Sequence, residues 1–395
     1  MAFTNELRQL NCDEEKAFLM VIEERYDEII RLIDDGRVRV NCLDKSGMNL
    51  LDQGSHKGDV NFVQKLIDRG ANVDNRAQND GFTCLMFAAL RGNPDLCDLL
   101  LTHGARAHAV TKMNKTATEM AALVNNHECV SIINSYISRD DVNSILHPQG
   151  KESREVFPDE LVDFIHLLTR RHLIHPILIS IELYNRPDCI QYLKKIIYVV
   201  DMLFERQLRS KEPNEVLSMK LWFVLGGLRK LDEFIKSRSL ESDLQKVLKG
   251  YIRALSAWKT VDGVIRRCFV ERVLFSTSLG FPYKHSLIFK AMGRSLKEVS
   301  PGRFPNVFTV ICSVLFGQRF VVTSGFCSLC GKPKSDFGCS KCKVIYCSSN
   351  CQKLDWKTHK TVCDQLQSNL ELNAYKRPTE HGVQYISGDD VKSSQ

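Results

Sequence analysis

The chain has no apolar run long enough to span a bilayer and no marked excess of charge of one sign, and no secretory leader is expected. Its densest apolar stretches, HPILISI and KKIIYVVDMLF, are short and punctuated, so no membrane insertion is expected. The opening MAFTNELRQLNCDEEKAF lacks the basic start and apolar core of a signal peptide. A formal charge of +7 over 395 residues is mild; it permits an acidic partner, and no nucleic acid is expected. Catalytic signatures are missing too. LGGLRK at 225–230 lacks the Lys-Ser/Thr of a phosphate loop, GKPKS at 331–335 falls inside a cysteine cluster, and no nucleophile elbow or dinucleotide fingerprint occurs.

Paired cysteines are scarce outside one region. Eight of the fifteen (Cys12, Cys42, Cys84, Cys97, Cys129, Cys189, Cys268 and Cys312) are scattered singly, many within apolar patterns. They read as free thiols of a reducing compartment, with cytoplasm or nucleus as the default location.

Two to three domains fit this length, and hydrophobic residues at 44% with charged residues at 26% are ordinary for a globular chain. Between residues 14 and 137, Gly36, Gly70 and Gly104 recur 34 residues apart, each behind a Leu/Ile-rich helical segment. GMNLLDQGSHKGDVNFVQKLIDRGANV and GFTCLMFAALRGNPDLCDLLLTHGARA superimpose without a gap. The pattern resembles the ankyrin repeat. The best units are 45–77 and 79–111, with a weaker leading unit from Glu14 and a degenerate closing unit to residue 137. The usual Thr-Pro-Leu-His turn is replaced by Asn49-Leu50-Leu51-Asp52 and Thr83-Cys84-Leu85-Met86, which puts the hydrogen bonds of that turn in question. Such arrays bind proteins through hairpin tips and a concave helical face. The tip residues Arg76, Asn79, Asp80, Lys112 and Asn114 are not separable from ordinary solvated loop residues.

Residues 138–320 read as an α-helical domain without repeats. Leu193, Ile196, Ile197, Val200, Leu203 and Phe204 share one helical face, and polar breaks at 209–215 and 236–242 read as connections. His166, His172 and His175 cluster, but without the Glu-His partner of a zinc helix they read as structural.

The densest chemistry is Cys327-x2-Cys330-x8-Cys339-x2-Cys342-x4-Cys347-x3-Cys351-x7-His359-x3-Cys363. Eight soft ligands make two tetrahedral sets, which suits two Zn2+ ions; seven cysteines and a histidine suit neither a disulfide framework nor a redox pair. The spacing of Cys347 to Cys351 and of His359 to Cys363 predicts two pairs, each on one face of a helix. The segment resembles the MYND zinc finger over residues 327–363. That resemblance implies interleaved sites, Cys327, Cys330, Cys347 and Cys351 holding the first zinc and Cys339, Cys342, His359 and Cys363 the second. Both are closed and structural. It also implies a groove for proline-containing peptides at Gln352 and Trp356, with KVIYC as the pairing edge; Trp356 reads equally as a filler of the small core. Seven lysines against two aspartates surround these ligands, leaving about +2 once thiolates and metals are included. The tail, 368–395, reads as disordered.

The fold class is therefore mainly α: an ankyrin-repeat solenoid, an α-helical middle domain and a small cross-braced two-zinc finger. In its order of parts the chain resembles the ankyrin-repeat and MYND-domain proteins. That family implies a non-enzymatic scaffold that helps deliver membrane adenylyl and guanylyl cyclases to the primary cilium, affecting Hedgehog and cyclic-nucleotide signalling. It implies an FK506-binding-type immunophilin among the partners. The alternatives are a MYND-based transcriptional corepressor and, less readily, a lysine methyltransferase. The methyltransferase would surround the finger with an Asn-His-x-Cys cofactor segment and a tyrosine-bearing tail, a pairing not found there. A prolyl hydroxylase would need His-x-Asp, a triplet the chain lacks.

Overall fold

The computed structural model describes residues 9–148, 156–170, 173–209, 213–238, 243–261, 263–300, 305–317, 321, 325–333, 335, 337–372, 376–379 and 382–385. Two compact units divide the chain, Met1–Tyr136 and Ile137–Gln395.

The first unit is four helix pairs: α1 (Cys12–Ile22) with α2 (Tyr26–Asp34), α3 (Leu50–Lys57) with α4 (Val60–Ile67), α5 (Cys84–Arg91) with α6 (Pro94–Thr102), and α7 (Ala117–Leu123) with α8 (His127–Asn134). The leading and closing units fold as hairpins like the two central ones. Capping explains why the departures from the usual turn are tolerated. Asn49 accepts from the Asp52 N–H at 2.7 Å while Asp52 accepts from the Asn49 N–H at 3.0 Å, a reciprocal box that starts α3. Thr83 caps α5 through the Met86 N–H. Neighbouring units are stitched by periodic bonds: Asn93 donates to the Gly58 carbonyl, and Asn126 to the Ala89 and Leu90 carbonyls, each at 2.9 Å. At the tips, the Asn79 N–H donates to Ser46 and the Lys112 N–H to Asp80. Asn126-His127-Glu128-Cys129 does read Asn-His-x-Cys, away from the finger. Here Asn126 is one of those stitches and Cys129 is buried in the repeat core, so the string has a packing role.

In the second unit, α9 (Arg139–Leu146), α10 (Asp159–Thr169), α11 (Pro176–Tyr184), α12 (Pro187–Ile190), α13 (Leu193–Leu208), α14 (Glu215–Lys236) and α15 (Leu244–Ser256) lead to an antiparallel pair, β1 (Lys259–Val261) and β2 (Val264–Arg266). α16 (Cys268–Leu279), α17 (Leu287–Lys297) and α18 (Val307–Phe316) follow, then β3 (Phe337–Gly338), β4 (Ile345–Tyr346), α19 (Ser349–His359) and α20 (Cys363–Leu372). The core wraps α14, which buries residues around most of its circumference, including Leu217, Phe223, Val224 and Leu228. LGGLRK sits mid-helix there. A Cβ on Gly226 would lie 2.5 Å from Thr277 of α16, so the glycine permits close helix packing rather than phosphate binding.

His166 is buried with Nε2 on the Ile137 carbonyl, and buried His175 accepts from the Ile177 N–H at the start of α11; His172 lies outside the described residues. Residues 210–212 and 239–242 of the two expected connections also lie outside them. In the tail expected to be disordered, α20 runs to Leu372, and β5 (Lys376–Thr379) pairs antiparallel with β6 (Gly382–Tyr385); 386–395 lie outside the described residues. Among the described residues no helix is long and apolar enough to cross a membrane.

Asp52 carries a cost in the repeats. Its Oδ2 is saturated by Asn49 and by Asn75 Nδ2 at 2.6 Å, whereas Oδ1 is buried and unpartnered among the described residues. Burial raises its carboxyl from the ordinary value to about 6. A raised carboxyl holds an extra proton in the folded state, so stability falls as pH rises from about 4 to about 6 and then levels off. Asp52→Asn removes this dependence, on the order of 2 kcal/mol across the window. Amide exchange of α3 to α6 in the full chain, compared with wild type at matched pH, should show a difference that grows to about pH 6 and then stays constant. A pH-independent difference would reject this account.

Candidate metal centre

The finger is assembled from two turns, two short strands and one helix. At the first turn, the Gly331 N–H donates to the Cys327 carbonyl at 2.9 Å, bringing Cys330 beside Cys327. At the second, the Lys343 N–H donates to Cys339 at 2.9 Å, and Lys343 adopts a left-handed φ of 54°. β3 and β4 pair antiparallel, and Ser348 caps α19 by accepting from the Cys351 N–H.

Eight donors gather into two groups. Cys327, Cys330, Cys347 and Cys351 have all their Sγ atoms within 4.8 Å of one another; Cys339, Cys342, His359 and Cys363 form the second such group. These are the sets that the MYND resemblance implies. Within the first, Cys330 to Cys347 is 3.6 Å, Cys347 to Cys351 3.5 Å and Cys351 to Cys330 3.8 Å. In the second, Cys339 to Cys363 is 3.8 Å and Cys342 Sγ to His359 Nε2 3.4 Å. A tetrahedral ion with Zn–S near 2.3 Å has edges of about 3.8 Å, shorter to nitrogen, so these are tetrahedron edges rather than weak thiol hydrogen bonds. Without an ion the thiols disturb one another: Cys347 is drawn down to about 7 by the Cys330 sulfur beside it, while burial pushes Cys342 up to about 12. A cation that replaces the protons removes this frustration.

Neither late pair lies on a continuous helix, contrary to the expectation from spacing. Cys347 precedes the Ser348 cap, and His359 ends α19 while Cys363 begins α20 after a turn closed by the Val362 N–H on the His359 carbonyl. A four-residue spacing gives reach across a helix end as readily as along a face.

α19 carries two stripes. Cys351, Asp355 and His359 are buried, whereas Gln352 is half-buried and Lys353 and Trp356 are exposed; these three line a shallow, open depression. Trp356 is 50% exposed, which excludes a core filler. At the expected pairing edge, Ile345 already accepts from the Ser328 N–H at 2.8 Å, so that carbonyl is bonded within the finger.

Sequence reasoning missed the residues behind the ligands. His359 Nε2 faces the sulfurs, leaving Nδ1 to donate to the Tyr346 oxygen at 3.2 Å; the Tyr346 hydroxyl donates to Asp355 Oδ2 at 2.8 Å. Asp355 takes Arg267 at 2.6 and 3.0 Å, and both side chains are buried. Burial and Asp355 together push the Tyr346 phenol well above its ordinary range. The i, i+4 placement of Asp355 between Cys351 and His359 is the one sequence signal that pointed there.

The finger also shares the helical core, in which Cys327, Leu329, Cys330, Tyr346 and Cys351 take part. Gly331 sits at this seam with φ of 71°, and a Cβ there would come within 2.6 Å of Phe308. Phe308 cannot swing aside freely, being edge-on to both His175 and Phe326. Gly331→Ala should therefore destabilise this unit by on the order of 2 kcal/mol, more than Gly263→Ala at a left-handed turn with open space. Thermal unfolding followed by the fluorescence of Trp222, Trp258 and Trp356, all in this unit, checks the order of the two.

The ankyrin-repeat family matches residues 51–144 in three copies, and the MYND finger family matches residues 327–363. The leading pair α1–α2 lies outside the first match. Dauer abnormal formation protein 25 of Caenorhabditis elegans is 40% identical over 353 residues, 89% of this chain and 89% of that protein. Two further relatives match only locally. Mouse Tudor domain-containing protein 1 is 43% identical over 80 residues, 20% of this chain and 7% of its own. The E3 ubiquitin-protein ligase hecd-1 of C. elegans is 33% identical over 93 residues, 24% and 3% of the two chains. Both modules are protein-interaction folds, and the finger carries metal-binding clusters. Aligned over 89% of its length and carrying both matched modules, the chain belongs to the family of ankyrin-repeat and MYND-finger proteins that includes Dauer abnormal formation protein 25.

Proposed function

We propose that the protein is a non-enzymatic adaptor, braced by two structural zinc ions, that binds other proteins through its repeats and through the outward face of α19. The observation that carries this reading is the contrast within one helix. Its buried stripe belongs to groups in which protein side chains supply all four donors, leaving no coordination position for a hydrolytic water. Its outer stripe leaves Gln352, Lys353 and Trp356 accessible. An exposed tryptophan among lysines suits an extended peptide with apolar or proline residues and some acidic character. The thiolate and imidazole donors, with edges of 3.4–3.8 Å, suit zinc over the harder divalent ions.

The finer reading rests on the family resemblance. It is a cytoplasmic scaffold escorting membrane adenylyl or guanylyl cyclases to the primary cilium, with an FK506-binding-type immunophilin among its partners. It bears on cyclic-nucleotide and Hedgehog signalling.

Elemental analysis of purified protein should return close to two zinc ions per chain, and Cys347→Ser should return close to one. A single ion in wild type would overturn the two-site reading. Pull-downs with wild type, Cys347→Ser and a chain lacking residues 1–137 test the adaptor reading. Membrane cyclases should be lost with the repeats. Chromatin proteins lost with the finger would favour a corepressor instead, and cofactor-dependent methylation or hydroxylation of a captured protein would overturn the non-enzymatic reading.

A further inference from the structure

A chain of polar contacts links the second donor group to the helical body. His359 Nδ1 meets Tyr346, Tyr346 meets Asp355, and Asp355 meets Arg267, a residue 88 positions upstream between β2 and α16. Every member is buried. The Arg267 guanidinium is itself held from three directions: by both Asp355 oxygens, by the Ser256 carbonyl at the end of α15, and by the Trp258 ring, whose centroid lies 4.1 Å away. A planar group fixed this way has one orientation and so fixes the carboxylate it meets.

We propose that Arg267 is a positioning residue for the Cys339–Cys342–His359–Cys363 group, so that metal retention in the finger and packing of the helical body are one coupled equilibrium. The proposal rests on the reading that the finger holds two zinc ions. Its logic runs along the proton donors. With Asp355 anchored, the Tyr346 hydroxyl donates its hydrogen bond to the carboxylate and turns an oxygen lone pair toward His359 Nδ1–H. That bond holds the imidazole with Nε2 toward the sulfurs. Without Arg267, Asp355 is a buried carboxylate with no cation and cannot hold the same place. Tyr346 then loses its fixed acceptor and His359 its fixed plane. The four-cysteine group has no donor bonded to this chain among the described residues, so the effect is confined to the group that contains His359.

The test uses full-length, zinc-loaded protein challenged with excess chromogenic chelator, after its zinc content has been measured. Arg267→Met and Tyr346→Phe should each release one ion faster, by about 10-fold to 100-fold, the range for loss of such a supporting bond. The other ion should leave at the wild-type rate. Cadmium NMR of the substituted protein, which separates an all-sulfur site from one containing nitrogen, should show the nitrogen-containing site as the perturbed one. Arg267→Lys should not restore retention, since an ammonium cannot bridge both oxygens and stack on Trp258. Chelation of wild type should, in return, raise amide exchange in α15 and around Arg267, a readout that needs no variant to fold.

Wild type with fewer than two ions fails the zinc reading and the coupling with it. Two ions lost equally fast from wild type and a folded Arg267→Met, or unchanged exchange in α15 on chelation, fails the coupling alone. Faster loss of both ions together would assign Arg267 a general packing role and overturn the proposal.

Discussion

Asp355 is a carboxylate with no exposure to solvent, and the way the finger sits on the helical body follows from what pairs with it there. A buried charge whose partner is removed costs about 3–5 kcal/mol, so Asp355 requires Arg267, and Arg267 requires the Ser256 carbonyl and the Trp258 ring that hold it. Those residues belong to the end of α15 and the strand pair that follows. The finger is thus no bead on a linker. Its helix supplies the acid, the helical body supplies the base, and neither side chain can be left alone without an unpaired ion in a dry seam.

The same seam explains why so small a module folds. A segment of this size cannot bury enough apolar surface by itself, and crossed metal sites supply part of what a core would. This finger has a second source. Cys327, Leu329, Cys330, Tyr346 and Cys351 are continuous with the core around α14, and Gly331 lets the first turn approach Phe308 and His175 without a side chain between them. Burial at that contact drives the His175 imidazole down to about 3, so it stays neutral and serves as a packing surface and helix cap.

What could be read from the sequence was whatever repeats or whatever chemistry constrains tightly. The repeats are legible because a 34-residue period sets the same glycine and Leu/Ile face each time, and the capping boxes of α3 restore bonds that the changed turn put in question. The metal donors are legible because few spacings bring four soft ligands to one point. Arg267 was not legible: it lies 88 residues from its partner, and a lone arginine at a strand end has no pattern. Reading Cys347–Cys351 and His359–Cys363 as helical pairs failed for a related reason. Spacing reports reach, and the Ser348 cap and the turn after His359 reach equally far by breaking the helix. The unpartnered Asp52 oxygen was also invisible, since which oxygen is left over depends on Asn75, 23 residues on, taking the other one.

α19 joins these consequences. Its residues at 351, 355 and 359 face inward to the two donor groups and the ion pair, while 352 and 356 fall about 100° round the helix and face outward. The Trp356 ring lies 6.0 Å from the His359 ring, centre to centre, so the exposed aromatic leans on a metal donor. Because one helix carries both stripes, the turns that bear Gln352 and Trp356 are held in place from their buried side. A surface built this way needs no separate loop to hold its aromatic side chain in place. Its shape is set from beneath, by two donor groups and one buried ion pair, and a partner that meets this face meets an arrangement whose ordering has already been completed by folding.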